Sequence, residues 1–347
     1  MRRYDIIITN PKTGAVWTPT GFPANLLGGT SFTSSVNGQP FAGAWNIELD
    51  IFAGAFAAPF GDSRVQVWGV SLQDLYNATD LNYFNIEVRG GMAKGLPLAT
   101  AQAANYGTIA KGTIFPAFGN WQGINQALTL ILRAGTNSGN NLPQFGSNGH
   151  PANVSFNWKK GTTLAQAIQS FFSTTFNITP NVQISSNLVA SEDWPFVYNN
   201  MAEFNSWLTQ FTKQIIGAGT TYPGVQIAFD PKMNAINVFD GTAKPTTIKQ
   251  LQFQDLIGQP TWLGIGVNFM TPLRSDLAIG SYIKMPAQSE NIAIATQNAA
   301  IIAKNRSSFQ GTYQVTQTRH VGNFREGSAE AWVTVVDAVN LTPVTGN

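Results

Sequence analysis

The side chains that could do chemistry in this chain are few and scattered. There are two histidines, His150 and His320, and no cysteine. Disulfides, thiolate catalysis and Cys-based metal sites are therefore excluded. A histidine-based zinc site needs both rings and a carboxylate in one place, and the two lie far apart in sequence. Glu48 and Asp50 are two apart in an alternating segment, so they share one face, as paired carboxylates for acid–base work would. That face is the polar one, and the pair reads as solvated. Glu192-Asp193 stands before Trp194-Pro195 with no partner in view. Gly264-Ile265-Gly266 lacks the third glycine and the following helix of a dinucleotide turn. No phosphate-binding G-x-x-x-x-G-K-[ST] loop, G-x-S-x-G elbow or H-E-x-x-H helix occurs. The expectation is a non-enzyme with no catalytic, cofactor-binding or metal-ligating residues.

The richest polar cluster is His320, Gly322, Asn323, Arg325 and Glu326, within FQGTYQVTQTRHVGNFREGSAEAWVTVVDA at 309–338. It reads as a connection between two strands. The second carries Trp332, Thr334 and Val336 alternating with Val333 and Val335, the period of a half-buried strand. No nucleophile, base and orienting acid come together here. A connection with so much character and so little chemistry suggests a surface that fits a partner.

Composition agrees with an assembly component. The 347 residues suffice for two or three domains with their own cores, and 43% are hydrophobic. Only 11% are charged, less than half of the roughly 25% usual in soluble domains. A net charge of +2 offers little repulsion between copies. Arg2-Arg3 and Lys159-Lys160 are too short to make a basic face, so no sequence-specific nucleic-acid partner is expected. The opening MRRYDIIITNPKTG reads as a strand rather than a signal peptide. No run reaches about 18 apolar residues, so no membrane partner is expected and synthesis is placed in the cytoplasm.

The elements that would hold these residues fall into three blocks. Up to about residue 135 the chain reads as β, with strands at 4–9, 45–51, 65–70, 84–89, from 112 and at 128–132. Gly, Pro and Asn turns between them suggest a barrel or sandwich. Residues 134–151 read as a linker or long loop. Two helices follow. Thr162 or Thr163 can cap the first, with Leu164, Ala167, Ile168, Phe171 and Phe172 at helical spacing. Asn199 or Asn200 can cap the second, with Met201, Phe204, Leu208, Phe211 and Ile215 on one face and Trp207 beside it. Short strands at 181–185, 225–229 and 235–239 complete an α+β block, the last two forming a hairpin. From about 245 the chain is β again. The run Gly112-Thr113-Ile114 before Leu128–Ile131 is echoed by Gly311-Thr312-Tyr313 before Trp332-Val333-Thr334, as if one β unit were used twice.

The last third resembles the baseplate hub proteins of contractile phage tails and related injection machines, the late control protein D group. The resemblance lies in 267–286 with its step Ile279-Gly280-Ser281-Tyr282-Ile283, in Gly311-Thr312-Tyr313, in His320-Val321-Gly322 and in Trp332-Val333-Thr334. It implies a mainly β fold with an α+β insert: tube-like β-barrel or sandwich units at 1–135 and 245–347 flanking a central α+β module at 150–242. It implies a structural hub in the virion's tail baseplate, made in the host cytoplasm. Three copies would present six β units in a ring, matching a six-fold tail tube on one side and a three-fold spike on the other. The implied partners are further copies of itself as a homotrimer, the tail spike protein, the tail tube protein and other baseplate proteins. His320 would then be a hydrogen-bonding residue and not a catalyst. The rivals are a carbohydrate-binding or glycan-cleaving tail protein and another structural virion or tail adaptor subunit.

Overall fold

A computed structural model describes residues 1–23, 25–54, 63–92, 105–134, 154–176, 178–217, 222–230, 232, 235–242, 247–262, 266–286 and 311–340. The chain is mainly β, with a large and chiefly antiparallel sheet and a small α+β insert.

The N-terminal region supplies β1 (Arg2–Thr9), β2 (Phe32–Thr33), β3 (Ser35–Val36), β4 (Gln39–Pro40), β5 (Asn46–Ala53), β6 (Ser63–Trp68), β7 (Asn85–Met92), β8 (Gly107–Gln122) and β9 (Asn125–Ala134), with a short α1 (Leu72–Tyr76). Alternation makes these strands: along β5 every second side chain, from Ile47 to Ala53, is buried. Their inward faces form one apolar core with Tyr4, Trp45, Ile47, Val65, Val88 and Leu130 among its members.

The insert holds β10 (Val154–Trp158), α2 (Leu164–Phe176), β11 (Asn181–Gln183), β12 (Trp194–Tyr198), α3 (Met201–Ile216), β13 (Gln226–Asp230) and β14 (Ala235–Phe239). The capping residues expected from sequence are in place. Thr163 and Gln166 form a reciprocal box, the Gln166 N–H donating to Thr163 Oγ1 at 3.3 Å and the Thr163 N–H to Gln166 Oε1 at 3.2 Å. Asn200 Oδ1 accepts from the Glu203 N–H at 2.8 Å at the start of α3. The buried face of α3 is rotated from the expected one: Asn205 and Thr212 are buried with Met201, Phe204 and Leu208, whereas Ile215 is 41% exposed. Those two polar side chains face the outer edge of β13. Asn205 Oδ1 accepts from the Ile227 N–H at 2.7 Å, and Thr212 Oγ1 from the Val225 N–H at 2.9 Å. The helix thus satisfies edge groups that burial would otherwise leave unpaired. The β13–β14 hairpin is as expected, while the β10–β12 pair was not foreseen. The insert has its own core, built on Phe156, Trp158, Phe172, Phe204 and Val238.

The C-terminal region contributes β15 (Ile248–Gln250), β16 (Thr261–Trp262), β17 (Gly266–Pro272), β18 (Tyr282–Lys284), β19 (Thr312–Asn323) and β20 (Trp332–Asn340), around a third core with Phe269, Ile283, Tyr313 and Val336. The two β regions do not form separate sheets. Antiparallel pairing of β5 with β19, from Ala53↔Thr318 to Glu48↔Asn323, joins them in the order β16-β17-β20-β19-β5-β6-β9-β8-β7-β1-β2. Two long strands exceed what sequence suggested. Both β8 and β19 continue through stretches that read as polar connections, and each bears a register shift against its hairpin partner, between Ile114 and Ala117 midway along β8 and between Val315 and Gln317 early in β19.

Candidate functional site

His320 lies inside β19, opposite Thr334 on β20 and Ile51 on β5, and not in a connection. The expectation failed because the inward face here is polar or small: Thr318, His320 and Gly322 are buried and Arg319 between them is exposed. A hydrophobic alternation cannot register such a strand. Gly322 is required by its neighbour, since a Cβ there would stand 2.7 Å from the Trp332 ring.

The true connection begins at Phe324, and its partner is the chain itself. The Phe324 N–H donates to the Ile47 carbonyl at 2.9 Å, and its ring meets Tyr4 edge-on at 4.9 Å. The Arg325 guanidinium donates to the Ala44 carbonyl at 2.6 Å, and its N–H to Asn46 Oδ1 at 3.1 Å. Arg2 closes over the same turn, its guanidinium donating to the carbonyls of Asn323 at 2.8 Å and Ser328 at 2.5 Å, and to that of Glu326. The inner side of the segment expected to fit a partner is thus occupied by the N-terminal region, while residues 325–330 keep an exposed outer side.

Behind His320 the three cores meet in a polar junction. Its centre is Leu273-Arg274-Ser275-Asp276, just after β17. Leu273 joins the first core and packs on Gly90, where a Cβ would lie 2.9 Å from it. Arg274, with a side chain only 5% exposed, grips Asp276 with both nitrogens, Nε to Oδ1 at 2.6 Å and Nη2 to Oδ2 at 2.9 Å. Its Nη1 stands 3.9 Å from Asp255 Oδ2 and its Nη2 3.4 Å from Asn105 Oδ1. Lys249 from β15 pairs with Asp276. The Ser275 N–H donates to the Asn105 carbonyl at 3.2 Å, and the Ser275 carbonyl accepts from Lys232 Nζ of the insert at 2.5 Å. The Arg274 N–H donates to Thr334 Oγ1 at 3.1 Å, and that oxygen lies 2.9 Å from His320 Nδ1. Trp332 ties β20 to the N-terminal region, its indole N–H donating to the Gly91 carbonyl at 3.0 Å.

A small pocket at this junction is lined by His320, Lys232, Asp230, Ser275, Thr318 and Ile279, among others. A hydroxyl beside an imidazole is a pairing used in nucleophilic catalysis, but this one is built differently. Thr334 is fully buried in the middle of a sheet. Burial, and then the Lys232 cation, lower His320 from 6.5 to about 4, so the ring is neutral and a weak base at neutral pH. What the arrangement does is link three cores through buried polar groups, although Arg274 Nη1 and Asp255 Oδ1 have no hydrogen-bond partner there.

The carboxylates singled out in sequence are engaged elsewhere. Glu48 Oε1 accepts from the Trp68 indole N–H at 3.1 Å, and Asp50 is held by both Arg319 nitrogens at 2.7 and 2.6 Å. They share a face, as expected, but that face carries cross-strand pairs between β5, β6 and β19. Asp193 Oδ1 accepts from the Lys160 N–H at 2.7 Å. Gly266 opens β17; His150, Gly264 and Ile265 lie outside the described residues. Among the described residues no cluster of three His, Asp or Glu is placed to hold a metal, and no helix is long and apolar enough to cross a membrane. Sequence reasoning missed Arg274, Asp276, Asp255, Lys249 and Lys232. The Arg-x-Asp step after β17 was the only local signal.

No family model matches the chain, and no curated protein matches it by sequence. Among solved structures it is similar to the tail protein from Neisseria meningitidis MC58, at 9% identity and a TM-score of 0.45, over 97% of this chain and 96% of that one. It is similar to the 43 kDa tail protein of prophage MuSo2 from Shewanella oneidensis, at 8% identity and a TM-score of 0.45, over 97% and 98%. A half-lidded PdpA–VgrG complex of Francisella matches at 8% identity and a TM-score of 0.39, over 100% of this chain and 59% of that one. Two of these three structures are tail proteins, one of them of a prophage.

Proposed function

We propose that this chain is a structural baseplate hub of a contractile phage tail, a trimeric ring of pseudo-six-fold symmetry that joins the tail tube to the trimeric central spike. The reading takes residues 1–135 and 245–347 as two tube-like β domains and 150–242 as an insert between them. The observation that carries it is the β5–β19 pairing, which sets the two β regions edge to edge in one sheet. A chain that already joins two β units side by side supplies two sectors of a ring, and three such chains supply six. The β8–β9 and β19–β20 hairpins, each long and each with a register shift in its first strand, support the idea that one β unit is used twice. The low charge density suits large contacts between copies, whose centres are poor in charged side chains. On this reading the protein works by geometry and not by turnover.

The test is the solution mass of the purified chain across concentration, with and without the candidate spike protein. A discrete trimer, alone or with the spike, is the expected result. A monomer that persists under both conditions would sink the trimeric hub and favour a glycan-binding tail protein.

A further inference from the structure

We propose that the tip of the β8–β9 hairpin is a lipid-binding element that enters the interfacial layer of a bilayer. The hairpin leaves the sheet as it runs outward. β7 accompanies β8 only as far as Thr113, and β6 accompanies β9 only as far as Ala127. From Phe118 to Asn125 every residue is exposed. Three of them are large and apolar: Phe118 at 45%, Trp121 at 63% and Ile124 at 98% exposure. Helix α1 packs against the hairpin at Gly119, where a Cβ would lie 2.6 Å from the Leu75 carbonyl oxygen. It adds Leu72 at 45% and Tyr76 at 85%. Phe118 and Trp121 fall on opposite faces of the ribbon, with Ile124 at its turn, so the projecting tip exposes apolar side chains on both faces.

Three observations suit entry into lipid. No Asp, Glu, Lys, Arg or His occurs from Gly112 through Leu132, and charge is the costliest thing to carry into hydrocarbon. The backbone of the tip is paired across the two strands down to Gln122↔Asn125, so entry leaves few main-chain groups without partners. The Trp121 indole N–H is likewise satisfied internally, donating to the Gly123 carbonyl at 2.7 Å. That ring can leave water without stranding its donor, as Trp does at membrane interfaces. Asn120, Gln122 and Asn125 are neutral amides suited to the headgroup layer. This departs from the expectation of no membrane partner, which rested on the lack of a spanning segment; lying in the interface needs none.

The experiment is flotation of the full chain with phosphatidylcholine vesicles, with and without added phosphatidylglycerol, at low and high salt. The wild type is expected to float with both lipids and to be little affected by salt, because the tip carries no charge. The double variant Trp121→Asn, Ile124→Asn should keep the wild-type unfolding midpoint and bind vesicles at least about tenfold more weakly. Absence of flotation, equal flotation of the variant, or flotation that needs anionic lipid and vanishes in salt would each overturn the proposal. So would self-association without lipid that the variant abolishes, which would make the tip a contact between copies. The inference stands apart from the ring, whose own test is the mass without lipid.

Discussion

At the scale of single residues, His320 is the most consequential polar side chain outside the charged network. It is neutral because burial and Lys232 penalise the cation, which places its folded value near 4 against 6.5 in an open chain. The unfolded chain therefore binds a proton more readily across that interval, and acid favours unfolding. The contribution is fully present above pH 6.5 and falls away as the pH drops toward about 4. Over the whole interval it amounts to about 3 kcal/mol. Asp230 and Lys232 line the same pocket as the ring. The variant His320→Asn can still meet Thr334 Oγ1 but cannot take up a proton. Urea unfolding at pH 7 and pH 5 checks this: the wild-type midpoint should fall between the two, and the variant's should fall distinctly less. Equal slopes would show that the acid sensitivity comes from carboxylates and not from this ring.

At the scale of elements, the docking of α3 on β13 rests on hydrogen bonds that an apolar helix face could not supply. The variant Thr212→Val keeps the shape of the side chain and strands the Val225 N–H. A buried donor left unpaired costs about 1–3 kcal/mol, read as a lowered urea midpoint, whereas Thr212→Ser should lose much less. A Val variant as stable as the wild type would mean that the edge of β13 needs no partner. The same helix shows what was legible in advance. Its cap at Asn200 and most of its apolar stripe follow from local rules, as do the alternating strands β1, β5, β6 and β7. The rotation of its buried face toward Asn205 and Thr212 does not, because the rule counts apolar side chains and these two are buried for their oxygens. β19 was cut short for the same reason, with Thr318, His320 and Gly322 turned inward. β8 reads too short for the opposite one: apart from the contact of Gly119 with α1, its outer half is exposed, so cross-strand hydrogen bonds rather than an apolar face keep it extended. Least legible was the junction at Arg274. Its partners Asn105, Asp255 and Thr334 are distant in sequence, and only the closed fold brings them together.

At the scale of the whole molecule, the question is whether three cores behave as one body. The surface pair Arg319–Asp50 links β19 to β5 but is substantially exposed, and such pairs contribute less than about 1 kcal/mol. The buried network around Arg274 is of another kind. Removing one member of a buried charged set leaves the others without compensation, at about 3–5 kcal/mol. In the variant Arg274→Met, Asp276 would keep Lys249, whereas Asp255 would lose its nearest cation. The packing of Leu273 on Gly90 would remain, so the N-terminal core should persist. The loss therefore falls on the relation between the cores more than on any one of them. Calorimetry should show the wild type unfolding with its cores coupled, and the variant should resolve into separate transitions, the C-terminal one lowered most. A variant that still unfolds in a single step, merely shifted, would show that β5–β19 pairing and the Arg2 clasp couple the cores without the network. In the ring we propose, this stiffness would matter, because a small change in angle between two sectors of one chain would be repeated in every copy. In that ring the Arg274 junction would lie between the two β regions, because it joins Asn105 of the first to Asp255 and Thr334 of the second.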